Sequence, residues 1–349
     1  MIFKRLFSAT LAILLAFSLV ACGAGDSPTI DSPSSNPSST TDSEGDSTTD
    51  KVVNPLTGEK DMDPSAKGKK PVAVTVNNLS LAQKVQSGLD KADLVFETEV
   101  EGGITRLLAF FADPTEADKI GTVRSVRVPF IDIVNGLGGM LFYHGIDYDY
   151  AKPHLDKVKI PSYELDTTTY GTRVNNGLAK EHTLYTSGAQ IDKAIEKRKM
   201  NDDGTGKPWV TFAAENKALS DTKAETISVP FSSSYVTQFL YDKETAKYAR
   251  AKKGVPYTDC YSKEKEMFSN VFVLETTISN YPDGKHRKVD FTGGNGYYAS
   301  NGTVIPIKWE KGASENNFSF KTADGKELTV NTGNSYICIV NMGRKITFE

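Results

Sequence analysis

The chain reads as an α+β protein: an N-terminal mixed α/β layer domain with a β-hairpin, followed by a mostly antiparallel β domain. Three observations predict this. The stretch Leu94 to Phe111 alternates apolar and polar side chains about a glycine pair, strand-like and helix-period segments interleave up to about residue 215, and short β-rich runs separated by turn residues fill the remainder.

The hairpin stretch is LVFETEVEGGITRLLAFF. Side chains alternate across a strand, so Leu94, Phe96, Thr98 and Val100 share one face while Val95, Glu97, Glu99 and Glu101 share the other. Gly102-Gly103 is predicted to form a two-residue turn, because glycine reaches positive φ without penalty. That turn would set Glu101 opposite Ile104 and Glu99 opposite Arg106, giving a same-face ion pair beside three carboxylates in line.

The first folded domain is assigned to 69–215. Pro71 to Val76 is β-branched and reads as a buried strand. Arg124 to Leu137 has a helical period, with Val126, Phe130, Ile133, Val134 and Leu137 on one side, and Gly138-Gly139 ends it. Met140 to His144 is strand-like, and Tyr148 to Val158 is a weak helix interrupted by Pro153. Ser187 and Gln190 form a capping-box pair for a last helix reaching Met200. The second domain, 216–349, carries six to eight predicted strands, from Thr226–Phe231 to Ser335–Val340, divided by turns such as Ser300-Asn301-Gly302.

Ahead of these, Lys4 and Arg5 precede an apolar run from Leu6 to Val20, too short to span a bilayer and fitting a secretory signal. The run ends Leu19-Val20-Ala21-Cys22-Gly23, which resembles the bacterial lipobox. Residues 1–21 are accordingly expected to be a lipoprotein signal peptide and Cys22 the diacylglycerol-bearing N-terminus, anchored durably because at least two acyl chains are attached. Residues 22–68 are expected to be a disordered tether. In 26–50, 13 of 25 residues are Ser or Thr and six are acidic, so the stretch has too little apolar surface to offset its ordering entropy.

Composition excludes several classes. The net charge of −3 leaves no basic footprint for nucleic acid. Neither CxxC nor HxxxH occurs, so no metal site is expected; GxSxG, a Walker loop and GxGxxG are absent too, and no cofactor is expected. Cys260 and Cys338 are consistent with a disulfide or with two buried thiols.

The strings DKADLVFETEVEGGITRLLAFF, IGTVRSVR and EHTLYTS together resemble the YerB-like lipoproteins, a bacterial family catalogued as a domain of unknown function with N-terminal and C-terminal parts. The resemblance covers the folded region. It implies that Asp93, Glu97, Glu101, Gly102, Gly103, Thr105, Arg106, Arg124, Ser125, Arg127, His182, Leu184 and Tyr185 are family-type positions. It also implies a membrane-anchored envelope protein and no established reaction. After His144 the chain departs from the Ala-Gly-Gly-type loop expected of the family and reads Gly145-Ile146-Asp147-Tyr148.

The candidate ligand-binding residues are Glu97, Glu99, Glu101, Arg106, Arg124, Arg127, His144, His182 and Tyr185. Two cations in the first turn of a helix oppose its dipole, so Arg124 and Arg127 call for compensation. Either the Glu97–Glu99–Glu101 row or a bound phosphate or carboxylate would supply it. The internal salt-bridge network is the preferred reading of the two. Glu97 and Glu99 stand about 7 Å apart as alternate residues of one strand, a spacing compatible with glycoside hydrolysis but shared by every Glu-x-Glu strand. Asp147, Asp149, Asp156 and Asp166 lack the calcium-loop pattern and read as solvated loops. Tyr297, Tyr298 and Trp309 are a candidate glycan platform, with core packing preferred.

The expected function is therefore a lipid-anchored, extracytoplasmic, non-enzymatic binding or adaptor role. Its partner would be a cell-wall polymer or other anionic envelope ligand, or a membrane protein. An envelope hydrolase using Glu97, Glu99 and a His is one alternative. A solute-binding lipoprotein is the other, disfavoured because the second half does not repeat the first.

Overall fold

Leu94 to Phe111 forms the expected hairpin, which lies in the middle of the largest sheet. The computed structural model describes residues 50–165 and 169–349; the signal segment, Cys22, the tether through residue 49 and Asp166 lie outside the described residues. In chain order the principal strands are β1 (Val72–Asn77), β2 (Leu94–Glu99), β3 (Thr105–Phe111), β4 (Met140–Tyr143), β5 (Ser162–Glu164), β6 (Thr226–Pro230), β7 (Val236–Asp242), β8 (Lys247–Lys252), β9 (Asn270–Thr276), β10 (Gly294–Ser300), β11 (Thr303–Glu310), β12 (Ser319–Thr322) and β13 (Ser335–Asn341). The helices are α1 (Val128–Gly136), α2 (Ala151–Val158) and α3 (Gly188–Arg198).

Ten of these strands form one sheet in the order β12-β11-β10-β9-β13-β2-β3-β1-β4-β5. The fold is α+β, as expected. The expected separation into bodies at residue 215 does not hold, because the late strand β13 lies between β2 and β9 and runs parallel to both. The reason is physical. All six residues of β2 are buried, and a buried strand edge must pair its backbone groups. β13, whose Tyr336 to Val340 are all inaccessible, supplies that pairing. A second sheet, containing β8, β7 and β6 in that order, covers one face of the large sheet: Ile227, Phe239 and Tyr248 pack with Val95, Val271 and Tyr336. The opposite face buries Phe96, Phe110, Phe130, Phe272 and Ile337.

The expected tether also ends earlier than residue 68. Val52 pairs with Met62, the Leu56, Met62 and Ala66 side chains are buried, and Trp209 Nε1 donates to the Leu56 carbonyl at 2.9 Å. Residues 50–68 are thus part of the folded body, which is one unit through Glu349.

The hairpin register differs from expectation by one residue. Glu101, Gly102 and Gly103 form a helical turn, and the Val100 amide donates to the Ile104 carbonyl at 2.8 Å, so the loop has three residues. Glu99 therefore stands opposite Thr105, and Thr98 opposite Arg106. A one-residue slip moves a side chain to the other face, which puts Glu99 and Arg106 on opposite sides of the sheet. The helix expected from Arg124 starts only at Val128. Pro129 suits a first turn, where its missing N–H costs nothing, while Arg124 and Val126 instead donate backbone bonds to Thr75 and Gly145. α3 follows its Ser187 cap as expected, although the Gln190 side chain turns to Thr172 and leaves the reciprocal half of the box unmade.

Between the two sheets lies a polar network of fully buried groups. Glu97 is inaccessible and, among the described residues, carries no ion pair. Its carboxylate accepts from Asn78 Nδ2 (2.9 Å), Thr105 Oγ1 (2.6 Å), Thr237 Oγ1 (2.9 Å) and the Tyr336 hydroxyl (2.7 Å). Arg250, also inaccessible, donates to Glu266 (2.8 Å), Gln86 (3.2 Å) and Asn78 (2.8 Å). Burial alone would weaken the Arg250 charge, but Tyr336, Glu266, Tyr257 and Glu97 surround it and hold it protonated. Removing one partner of such a pair strands the other in low dielectric. Arg250→Ala is expected to lower stability by about 3–5 kcal/mol in urea titrations. Because both halves share the sheet, far-UV signal and tryptophan fluorescence should unfold in one coincident transition; two separable transitions would contradict the shared core.

Candidate functional site

β1 and β4 run parallel, so their carboxyl ends lie side by side, the usual place for a ligand in a sheet of this kind. The extended segment before α1 is laced across both ends. Arg124 N–H donates to Thr75 at the end of β1 (3.0 Å), and His144 N–H, just past β4, donates to the Arg124 carbonyl (3.2 Å). Arg106, the second residue of β3, stands directly opposite Asn77, the last residue of β1, so its side chain emerges at the same place. The loop that departs from the family pattern completes the frame. Gly145 has φ 88°, and a Cβ there would meet Ser125 Oγ at 2.6 Å, so only glycine fits.

Four guanidinium groups gather here. Arg106 is only 4 % exposed; its Nη1 donates to the Ser125 carbonyl at 2.7 Å. Arg127 precedes α1, pairs through Nε with Glu101, and donates from Nη1 to Val126 O at 2.8 Å. Among the described residues the Arg124 side chain makes one long contact, Nη1 to Glu181 O at 3.4 Å. Arg173, which sequence reasoning missed, reaches His144 Nε2 from Nη2 at 3.0 Å. His144 Nδ1 lies 2.7 Å from the Leu165 carbonyl, which assigns its proton to Nδ1 and leaves Nε2 to accept from Arg173. His182 Nδ1 sits 2.7 Å from Asn77 Nδ2, so that nitrogen accepts.

The electrostatics are strained toward positive. Burial, then the repulsion of Arg127 and Arg124, pulls the Arg106 pKa down to about 9, and Glu101 offsets this only in part. Burial and then Arg127 and Arg173 lower Arg124, against the opposing pull of Glu181. Burial and then Arg124 lower His182. The Nε atoms of Arg106, Arg124 and Arg173 are buried without a hydrogen-bond partner. The N-terminus of α1 has no side-chain cap either. Buried donors without acceptors, repelling one another beside an uncapped helix start, have the chemistry that an anion would complement.

Some of the residues singled out in the sequence come together in space. Arg106, Arg124, Arg127 and Glu101 converge, with His144 and His182 at the rim. Glu97 and Glu99 do not join them. Glu97 belongs to the interior network, and Glu99, 2 % exposed, is held by Arg287 (3.1 Å) and Arg344 (3.0 Å). The expected Glu99–Arg106 pair is thus replaced, and the two glutamates share no accessible reacting centre, which removes the geometric basis of a Glu97–Glu99 hydrolytic dyad. Tyr185 is also elsewhere: its hydroxyl donates to Val85 O at 2.8 Å, and Lys119 lies over its ring. His286 was missed. It reaches Glu101 Oε1 at 3.3 Å from the hairpin formed by Ile278–Asn280 and Arg287–Val289, so the late part of the chain also touches the site.

The remaining candidates resolve as structure. Asp147 accepts from the amides of Tyr150 and Ala151 where the chain enters α2, while Asp156 pairs with Lys152. Cys260 and Cys338 are free thiols. Tyr298 and Trp309 are buried in the core rather than offered as a platform.

The two-part organisation of the chain falls into a known class. The model described as "Protein of unknown function (DUF3048) N-terminal domain" matches residues 56–201, and its companion C-terminal domain model matches 227–337. The chain belongs to this family. It is 30% identical over 300 residues to "Putative lipoprotein YerB" of Bacillus subtilis (strain 168), covering 84% of this chain and 87% of that protein. The crystal structure of the YerB protein from Bacillus subtilis superposes with a TM-score of 0.74 at 28% identity, over 85% of this chain and 100% of that one.

Glu101 has a testable place in this balance. Burial alone would raise its pKa, but the Arg127 hydrogen bond and charge, with Arg106 behind, outweigh burial and hold it below the ordinary 4.5. A depressed carboxylate contributes stability above its unfolded pKa and loses that contribution as pH falls through the folded value. In Glu101→Gln, the drop in urea midpoint between neutral pH and pH ~3 should be smaller than in the parent chain. The same variant removes the one carboxylate bonded to the arginine cluster, and isothermal titration with inorganic phosphate should show tighter binding.

Proposed function

We propose that the protein is a lipid-anchored component of the extracytoplasmic face of the cell membrane, acylated at Cys22, with a non-enzymatic binding or adaptor role. Its folded body captures an anionic envelope ligand, a phosphate-bearing cell-wall polymer, through Arg106, Arg124, Arg127 and Arg173. The observation that carries the reading is the buried and unpartnered Nε of three of these arginines. An arginine fork matches phosphate oxygens in a planar, bidentate fashion, and in a desolvated site such bonds are roughly twice as strong as neutral ones. The signal-like run before Cys22 and the name of the Bacillus relative support the anchor.

Two experiments test this. Mass spectrometry of the membrane fraction should find a diacylglyceryl group on Cys22, and Cys22→Ala should shift the protein out of that fraction. Arg124→Ala combined with Arg127→Ala should weaken binding of a poly(glycerol phosphate) by about tenfold or more, the loss of two charge-assisted contacts, while leaving the melting temperature within a few degrees. Unchanged affinity in the double variant would refute the arginine site.

A further inference from the structure

The arginine cluster lies at the carboxyl end of β1. At the other end of the same strand, roughly 20 Å away by strand rise, the surface has a different character. There Pro71 borders a recess of about 680 Å³ whose lining includes Lys51, Lys60, Lys67 and Lys69, with Asp50 as the only acidic residue. Lys60, Lys67 and Lys69 are exposed and, among the described residues, enter no ion pair. Apolar side chains sit between these cations. Val53 is 57 % exposed, and it and Pro208 also border a neighbouring groove of about 790 Å³ lined by Trp209, Phe212 and Phe320. Lys207 stands at that second groove.

We infer that this face docks on an anionic lipid surface. Three observations commit it to that occupant. The chemistry is amphipathic, with apolar groups between unpaired lysines, as an interface between water and acyl chains requires. Its charge complements anionic headgroups, toward which each lysine contributes roughly fivefold in partitioning. The chain also enters the body at this recess, because Asp50 lines it. The 27 residues from Gly23 to Thr49 separate it from Cys22 and limit its distance from that residue to about 100 Å. The lysine face is therefore the part of the body closest along the chain to the bilayer. Docked on it, the body would turn the carboxyl ends of β1 and β4, and with them the arginine site, away from the membrane. The placement rests on the proposed anchor at Cys22; the surface chemistry does not.

The test uses the chain from residue 22 to 349 carrying Cys22→Ser, so that no acyl group contributes. It is floated with phosphatidylcholine vesicles and with vesicles containing one-third phosphatidylglycerol. Partitioning should be confined to the phosphatidylglycerol vesicles and should fall at least tenfold in Lys60→Glu/Lys67→Glu/Lys69→Glu, whose side chains are exposed and whose melting temperature should be retained. Val53→Asp should lower it as well, and Arg124→Ala/Arg127→Ala should leave it unchanged. Absence of vesicle binding, equal binding to both vesicles, or binding unaffected by the lysine changes would overturn the inference. So would a lysine variant that loses poly(glycerol phosphate) while keeping vesicles, since the occupant would then be the polymer. An unacylated Cys22 in cells would refute the anchor and leave the vesicle result intact, so the two failures are distinguishable.

Discussion

The structure depends on one buried carboxylate. Glu97 sits in the middle of the large sheet with no direct ion pair among the described residues, and its two oxygens are satisfied by donors from four separate stretches: Asn78 after β1, Thr105 at the start of β3, Thr237 on β7 and Tyr336 on β13. A charge in this position is tolerable only if every one of those donors is present, because each missing bond leaves desolvated charge uncompensated. The network therefore acts as a registration device. It requires the hairpin, the covering sheet and the last long strand to arrive together, and Arg250 with Glu266 extends the requirement to β8 and the residues that precede β9.

That requirement explains why two family-level domains share one body. The N-terminal match contributes β1 to β5 and the C-terminal match contributes most of the rest, yet the sheet is continuous across them through the β2–β13 pairing. Asp93 reinforces the same seam: its carboxylate accepts from Asn54 and Ala112, and its carbonyl accepts from Ser335, the first residue of β13. Burial pushes the Asp93 carboxyl up to about 7, so the seam holds an acid whose ionisation opposes folding as pH rises. In the interior, polar groups are used for specificity of assembly, although Arg250 Nε and the Tyr248 hydroxyl are left without partners there. At the carboxyl ends of β1 and β4, three neighbouring arginines each leave an Nε unpartnered, and it is their clustering that sets the proposed ligand site apart.

Much of the local architecture was legible in the residues. The period-two alternation located β2 and β3, the β-branched run located β1, and the apolar spacing from Phe130 to Leu137 located α1. The convergence of Arg106, Arg124 and Arg127 was also readable, because all three flank elements that the pattern placed near one another. The register was not. Two glycines are compatible with a two-residue or a three-residue loop, and a single residue of slip decided that Arg106 would face Ser125 and not Glu99. Arg173 and His286 gave no signal, since each lies in a short polar segment whose position is set by contacts far away in sequence.

By itself the sequence determined the fold class, the order of strands and helices in the first half, the acidic run before the body and the Cys22 motif. These follow from local properties: side-chain periodicity, turn chemistry, and apolar runs of a given length. Only the tertiary structure decided that the last long strand is inserted beside the hairpin, that the three hairpin glutamates part to three different sets of partners, and that the arginines remain with unsatisfied donors. The physical reason is that pairing of buried backbone and solvation of buried charge are global conditions. They are met by groups hundreds of residues apart, such as Glu97 and Tyr336, and no local pattern records which distant group will meet them.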